Sequence, residues 1–312
     1  MNQKTKILIE LPTWLGDSVM TTPAIENIVK FYGNCEIIFI GSESSVELMK
    51  FHPNCCGSLI LNRNIKSFIS SIRSIKPVDI FISFRSSIRT KLFFLFLRSE
   101  KKYQFNKNKF THGHQVEKYN QFVKESLGIR LKAGKLKIYN PPYLRTSKNP
   151  LLGINPGASY GSAKCWPYKN FVEVILSLSR KFDILIFGGP NEIFIADKIV
   201  KDLKKNNCTN FENLSGKTSI SDLVGHISTL DIFITGDSGP MHIAAAFQIP
   251  TVSIFGPTKI NETSQWLNNK TVVLKKDLTC QPCMKRVCPL GHHDCMKKIS
   301  SKDVINSVLN LI

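Results

Sequence analysis

No stretch of the 312-residue sequence approaches the roughly 18–20 consecutive apolar residues that a membrane-spanning helix needs. The longest apolar run, Leu92 to Leu97, is closed off by Lys91 and Arg98. The opening MNQKTKILIELPTWLGD has two lysines and a brief apolar run broken by Glu10, where a secretory signal requires a longer one and a small-residue cleavage site. The expected location is cytoplasmic. Acidic residues are also scarce: 23 Asp and Glu face 42 Lys and Arg, a formal charge of +19. Such a surplus concentrates anionic partners, whether nucleic acid, an anionic membrane surface or a phosphorylated substrate, and it also serves plain solubility. Its densest runs are KKYQFNKNKF (101–110) and RLKAGKLK (130–137). Two nucleotide fingerprints are missing. SGKTS (215–219) has Phe211 where a P-loop requires glycine, and no G-x-G-x-x-G follows the first strand, which disfavours a nicotinamide dinucleotide. Solenoid repeats are absent.

What is present alternates. KILIELP (6–12) and LLGINPG (151–157) are short buried-strand patterns that each end in a turn and open one half of the chain. In the first half a helix is expected from Gly16-Asp17 to about Phe31, with Pro23 in its first turns, then a strand at 36–41, a helix at 44–50 and a strand at 78–84. A further helix at 114–128 closes on a glycine. NPPYLRTSKNP (140–150) is the linker candidate, giving domains over 1–145 and 146–312. Beyond it, helices at 171–179, 192–205, 219–230 and 238–247 alternate with strands at 182–189, 231–237 and 249–257. That rhythm predicts an α/β protein with right-handed βαβ units and two largely parallel sheets, whose ligands bind at the carboxyl ends of the strands.

Three strand-to-helix turns carry candidate chemistry. In TGDSGPMHIAAA (235–246), Asp237 or Ser238 can cap the helix, and the free N–H groups and dipole at its start suit a phosphate; His242 is expected one turn in, near the rim. A capped helix with a satisfied histidine and no ligand fits the same residues. NPGASYGSAKCWP (155–167) is a small-residue loop that can cradle a diphosphate and neutralise it with Lys164, or can be a solvent loop with an incidental lysine. In PTWLGDSVMTTP (12–23), Asp17 is either a helix cap or a carboxylate presented to an acceptor hydroxyl as a base. Nine cysteines form no secreted framework. Cys280, Cys283, Cys288 and Cys295 stand close together, with buried thiols, a disulfide or a structural zinc site as the readings open to them.

Together, LPTWLGDSVMTTPAI, NPGASYGSAKCWP and GDSGPMHIAAAFQIPTVSIFGPT, followed by CQPCMKRVCPLGHHDCMKKI, resemble the ADP-heptose:lipopolysaccharide heptosyltransferase family over nearly the whole chain. The resemblance implies the GT-B architecture, two Rossmann-like domains with parallel sheets facing a central cleft. It implies inverting transfer of heptose from ADP-L-glycero-D-manno-heptose to the inner core of lipopolysaccharide, at the second heptose, with no metal or other cofactor. Asp17 then corresponds to the general base and Lys164 to the lysine on the donor diphosphate. Asp237, Ser238, Gly239 and His242 match the segment holding donor sugar and phosphates, with Met241 inside it and Ser159 a looser match. Gly188, Gly189 and Glu192 are assigned to the nucleoside by strand-end position, and Trp14, Gly16, Arg85 and Arg89 to the acceptor. The acceptor implied is a phosphorylated lipid A–inner core at the cytoplasmic face of the inner membrane, which gives the basic runs an anionic surface to meet. The final helix, 300–312, is expected to pack back on the N-terminal domain, by analogy with the architecture alone. A different nucleotide sugar on the same fold is one alternative; a basic nucleic-acid-binding protein is another, supported by charge alone and by no aromatic stacking motif.

Overall fold

The computed structural model describes residues 4–61, 64–145 and 147–312. The chain forms two compact units, Met1–Asn140 and Pro141–Ile312. The first has five strands, β1 (Thr5–Glu10), β2 (Cys35–Gly41), β3 (Cys55–Ile60), β4 (Val78–Ser83) and β5 (Ser99–Gln104), all parallel in the order β3-β2-β1-β4-β5. Its helices are α1 (Leu15–Tyr32), α2 (Glu43–Met49), α3 (Ile65–Ser74), α4 (Lys91–Phe96) and α5 (Gln115–Leu127). The second has β6 (Leu151–Asn155), β7 (Asp183–Ile186), β8 (Phe211–Asn213), β9 (Ile232–Gly236), β10 (Thr251–Ile254) and β11 (Thr271–Leu274), parallel in the order β11-β10-β9-β6-β7-β8. Its helices are α6 (Tyr168–Leu178), α7 (Ile193–Lys205), α8 (Ile220–Ser228), α9 (Gly239–Ala246), α10 (Ile260–Thr263), α11 (Asp294–Lys297) and α12 (Ser301–Leu309). Central strands covered on both faces need apolar side chains on both, which is why β6 and β9 are buried along their whole length.

Each sheet reverses its winding direction once. The reversal lies between β1 and β4 in the first unit and between β6 and β9 in the second. At such a switch point the connections leave the strand ends in opposite directions and open a crevice for ligands. The strand ends there are Glu10 beside Ser83, and Asn155 beside Thr235.

Helix α1 differs from its expected form. Pro23 is its ninth residue, in the interior, where it removes the N–H that would bond the Val19 carbonyl. The Thr22 hydroxyl donates to that same carbonyl at 2.8 Å and in turn accepts the Lys137 N–H at 3.0 Å. Thr22 is 1% exposed, so its hydroxyl cannot turn to water instead. Thr22→Val keeps the shape and strands both groups; urea unfolding is expected to show a loss of about 1–3 kcal/mol, and an unchanged midpoint would rule this role out.

Four strands escape the sequence pattern: β3, β5, β8 and β11. β5 occupies the basic run at 101–110 and is the sheet's edge, where lysines discourage pairing with another chain. The other basic run is tied down. Lys132 accepts from Asn27 Nδ2 through its carbonyl at 3.0 Å, and Lys137 Nζ reaches Glu26 at 3.2 Å. Helix α5 ends on Gly128 in the left-handed region, as its sequence requires.

One further expectation changes. The division falls at Asn140/Pro141, five residues before the expected boundary (Thr146 lies outside the described residues). Residues 141–145 belong to the second unit because the Tyr143 hydroxyl meets His226 Nε2 at 2.7 Å and Arg145 pairs with Asp231 at 2.8 Å. Helix α12 packs on α6, β10 and β11 of its own unit, where Val304 and Val308 complete that unit's core.

Candidate active site

In the second unit the loop after β6 and the turn after β9 meet. Lys164 Nζ lies 2.6 Å from Asp237 Oδ2 and 3.1 Å from the Asp237 carbonyl oxygen. Thr258, beyond β10, donates its hydroxyl to the same carboxylate oxygen at 2.7 Å. The Asp237 side chain is 5% exposed and that of Lys164 12%, so the pair is held largely out of water. Gly236 has no side chain to stand between, and the Lys164 carbonyl approaches to within 3.4 Å of where one would begin.

Ser238 is the N-cap of α9, but neither it nor Asp237 caps the helix through its side chain. Asp237 is spent on Lys164. The Ser238 hydroxyl pairs with Thr235 Oγ1 at 2.9 Å and lies 3.4 Å from Asn155 Nδ2. First-turn N–H groups, Gly239 and Met241 among them, are therefore left without an N-cap acceptor, a seat suited to an anion. The Met241 side chain is fully buried, which leaves its N–H as the group it can offer. His242 lies beneath the rim rather than on it, at 3% exposure.

Glu192 joins the other strand ends. One carboxylate oxygen accepts the Gly189 N–H at 2.7 Å and the other the Ser159 hydroxyl at 3.3 Å. A side chain at Gly157 or Gly188 would collide with Glu192 or Ser215, so both glycines are there for close packing. Ser159, Gly188, Gly189 and Glu192 thus form one cluster beside the Lys164 loop.

In the first unit, Asp17 is the third residue of α1, in its first turn, and Trp14 rather than Asp17 is the N-cap. Trp14 is 48% exposed. The loop leading into α1 is pinned by hydroxyls: Ser18 and Ser45 donate to the Pro12 carbonyl at 3.1 and 2.6 Å, and Ser42 to that of Thr13 at 2.9 Å. The Tyr119 phenol is pushed well above its ordinary range, first by complete burial and then by the negative charge of Asp17 nearby. Arg85 and Arg89 come together beyond β4: Arg85 Nη1 lies 3.5 Å from Glu10, and the Arg89 guanidinium stands 4.2 Å from the Phe68 ring centre.

A sequence model described as glycosyltransferase family 9 (heptosyltransferase) matches residues 70–293. The chain belongs to glycosyltransferase family 9. It is 42% identical to lipooligosaccharide heptosyltransferase 2 of Campylobacter jejuni serotype O:2, over 98% of each chain. It is 27% identical to lipopolysaccharide heptosyltransferase 2 of Escherichia coli K12 over 54% of this chain and 48% of that one. Among solved structures it superimposes on E. coli ADP-heptose lps heptosyltransferase II with a TM-score of 0.79 at 22% identity, covering 98% of each chain. E. coli heptosyltransferase WaaC with ADP gives 0.77 at 14% identity, over 99% of this chain and 100% of that one. These structural likenesses establish the fold.

For a family 9 glycosyltransferase, two features lie outside the expected site. Glu10, the last residue of β1, is 1% exposed and accepts from Ser83 Oγ at 2.6 Å and Thr90 Oγ1 at 2.9 Å as well as facing Arg85. Burial pushes its carboxyl up, against the pull of those partners. The interruption of an apolar strand by a carboxylate was the available signal. The second feature is the cysteine cluster. Cys280, Cys283, Cys288 and Cys295 line one cavity with Gln281, His292 and His293. All four thiols are free, and burial, with the other three thiols, raises that of Cys295. Among the described residues no group of three or more His, Cys, Asp or Glu side chains is disposed to hold a metal ion. No helix among them is long and apolar enough to cross a membrane.

Proposed function

We propose that this enzyme transfers heptose from ADP-L-glycero-D-manno-heptose to the inner core of lipooligosaccharide, adding the second heptose with inversion and without a metal. The observation that carries the reading is the Lys164–Asp237–Thr258 cluster beside the uncapped start of α9, at the switch point of the second sheet. Likeness to a Campylobacter enzyme named lipooligosaccharide heptosyltransferase 2 supports the acceptor class.

Asp17 takes the proton of the acceptor hydroxyl as its oxygen attacks the anomeric carbon from the face opposite the diphosphate. A single displacement of this kind inverts the anomeric centre. The departing ADP gains negative charge at the bridging oxygen. Lys164 and the N–H groups at Gly239 and Met241 are fixed before the reaction begins, so they stabilise that charge without reorganising. A lysine and oriented dipoles can supply the field a divalent ion would otherwise provide. In this reading Ser159 faces the diphosphate, Gly188, Gly189 and Glu192 serve the nucleoside, His242 the sugar, and Trp14, Gly16, Arg85 and Arg89 the acceptor. The acceptor is an anionic glycolipid, so the enzyme works at the cytoplasmic face of the inner membrane, where its positive charge draws it to the surface.

Transfer assays with ADP-, UDP- and GDP-sugars on defined truncated core acceptors test this directly. ADP-heptose on a core carrying one heptose is expected to be the productive pair, with an inverted anomeric signal in the product's NMR spectrum and unchanged rates in EDTA. Faster turnover with another donor, or with an acceptor lacking the first heptose, would refute it.

A further inference from the structure

The pairing of Lys164 with Asp237 poses a problem of charge. A diphosphate that gains negative charge on departure draws on cationic charge, and the 2.6 Å contact with Asp237 offsets part of what Lys164 brings. A second cation stands nearby. The Arg286 guanidinium lies 5.5 Å from the centre of the Tyr160 ring, and Lys164 Nζ lies 4.7 Å from the same centre. Arg286 is exposed and, among the described residues, makes no ion pair.

Its position is fixed by the main chain around it. The Tyr160 hydroxyl donates to the Met284 carbonyl at 2.7 Å, and the Ala163 N–H donates to the Arg286 carbonyl at 3.0 Å. His293 Nε2 donates to the Ala163 carbonyl at 2.9 Å. Gly161, at φ 152°, lies so close that any side-chain carbon there would overlap the Arg286 carbonyl. The same segment grips the other loop: Met284 N–H bonds the Pro257 carbonyl at 2.9 Å, and Gln281 Nε2 that of Gly256 at 2.6 Å, next to Thr258. The cysteine-rich segment therefore holds both loops that build the Lys164–Asp237–Thr258 cluster.

We propose that Arg286 is a second phosphate-binding residue of the donor site, carried into place by the cysteine-rich segment; this rests on reading the Lys164 loop as the diphosphate site. A guanidinium offers two parallel donors to a phosphate, which a single ammonium cannot match. Because the segment grips the loops through main-chain atoms of residue 286, shortening its side chain removes the charge and leaves the framework.

Calorimetric titration of ADP and of adenosine into the full-length enzyme tests this. Arg286→Ala is expected to weaken ADP binding about 10- to 100-fold, the range for losing charge-assisted hydrogen bonds, with adenosine binding and thermal midpoint unchanged. Arg286→Lys recovers part of the loss, and Lys285→Ala, at the neighbouring exposed lysine, recovers nothing because it loses nothing. ADP affinity within about twofold of wild type in Arg286→Ala, alongside clear loss in Lys164→Ala, overturns the inference alone. Equal loss of ADP and adenosine with a lowered midpoint overturns it in favour of a structural role. Unchanged ADP binding in both variants removes the diphosphate reading of the loop, and the inference with it.

Discussion

Asp17→Asn is expected to lower turnover about 10²- to 10⁴-fold, the usual contribution of a positioned base, while ADP binds as before. The change keeps the size and planarity of the side chain and removes its capacity to accept a proton. The surroundings are suited to so clean a comparison. Trp14, not Asp17, is the N-cap of α1, and the loop leading to the helix is held by the hydroxyls of Ser18, Ser42 and Ser45. A small stability cost of about 0.3–1 kcal/mol accompanies the lost charge in the helix's first turn. Single-turnover transfer measured beside ADP titration separates the two effects. Turnover within about tenfold of wild type would remove Asp17 from the role of base.

Lys164→Ala should do two things at once. It strips the proposed donor site of a cation and leaves the Asp237 carboxylate buried with Thr258 as its remaining side-chain partner among the described residues. Breaking a buried pair by removing one partner typically costs about 3–5 kcal/mol, so urea unfolding of the second unit should shift strongly. A double variant tells structure from function: in Lys164→Met with Asp237→Asn, no charge is stranded and most of the stability should return. ADP affinity should not return with it. Recovery of ADP binding together with stability would mean that Lys164 serves the fold and not the donor.

The central strands were legible because β6 and β9 are buried along their whole length, and β1 from Ile7 to its end, so that each shows a short apolar run. Strand β5 was hidden by its lysines, which an edge tolerates and a central strand does not. Strand β3, CCGSLI, has a glycine and alternates in burial, and β8 is three residues long, too short for any period to register. Pro23 was placed too near the helix start, since its rescue by the Thr22 hydroxyl is a matter of side-chain geometry and not of pattern. Asp17 in the first unit, and Lys164 and Asp237 in the second, drew attention because polar residues in small-residue turns stand out. Their pairing was not: Lys164 and Asp237 are 73 residues apart, and only the β6–β9 adjacency brings them together. Expecting Asp237 or Ser238 to cap α9 was reasonable from residue type and failed because each hydroxyl or carboxylate had a longer-range partner.

The docking of α12 against β10 and β11 bears on how the chain matures during synthesis. The first unit is contiguous and has every strand it needs once residue 140 has emerged from the ribosome. The second cannot close its core until Val304 and Val308 arrive, long after β6 has been made. A nascent chain therefore carries a finished amino-terminal half and an unsealed carboxyl-terminal one until translation has run through that last helix.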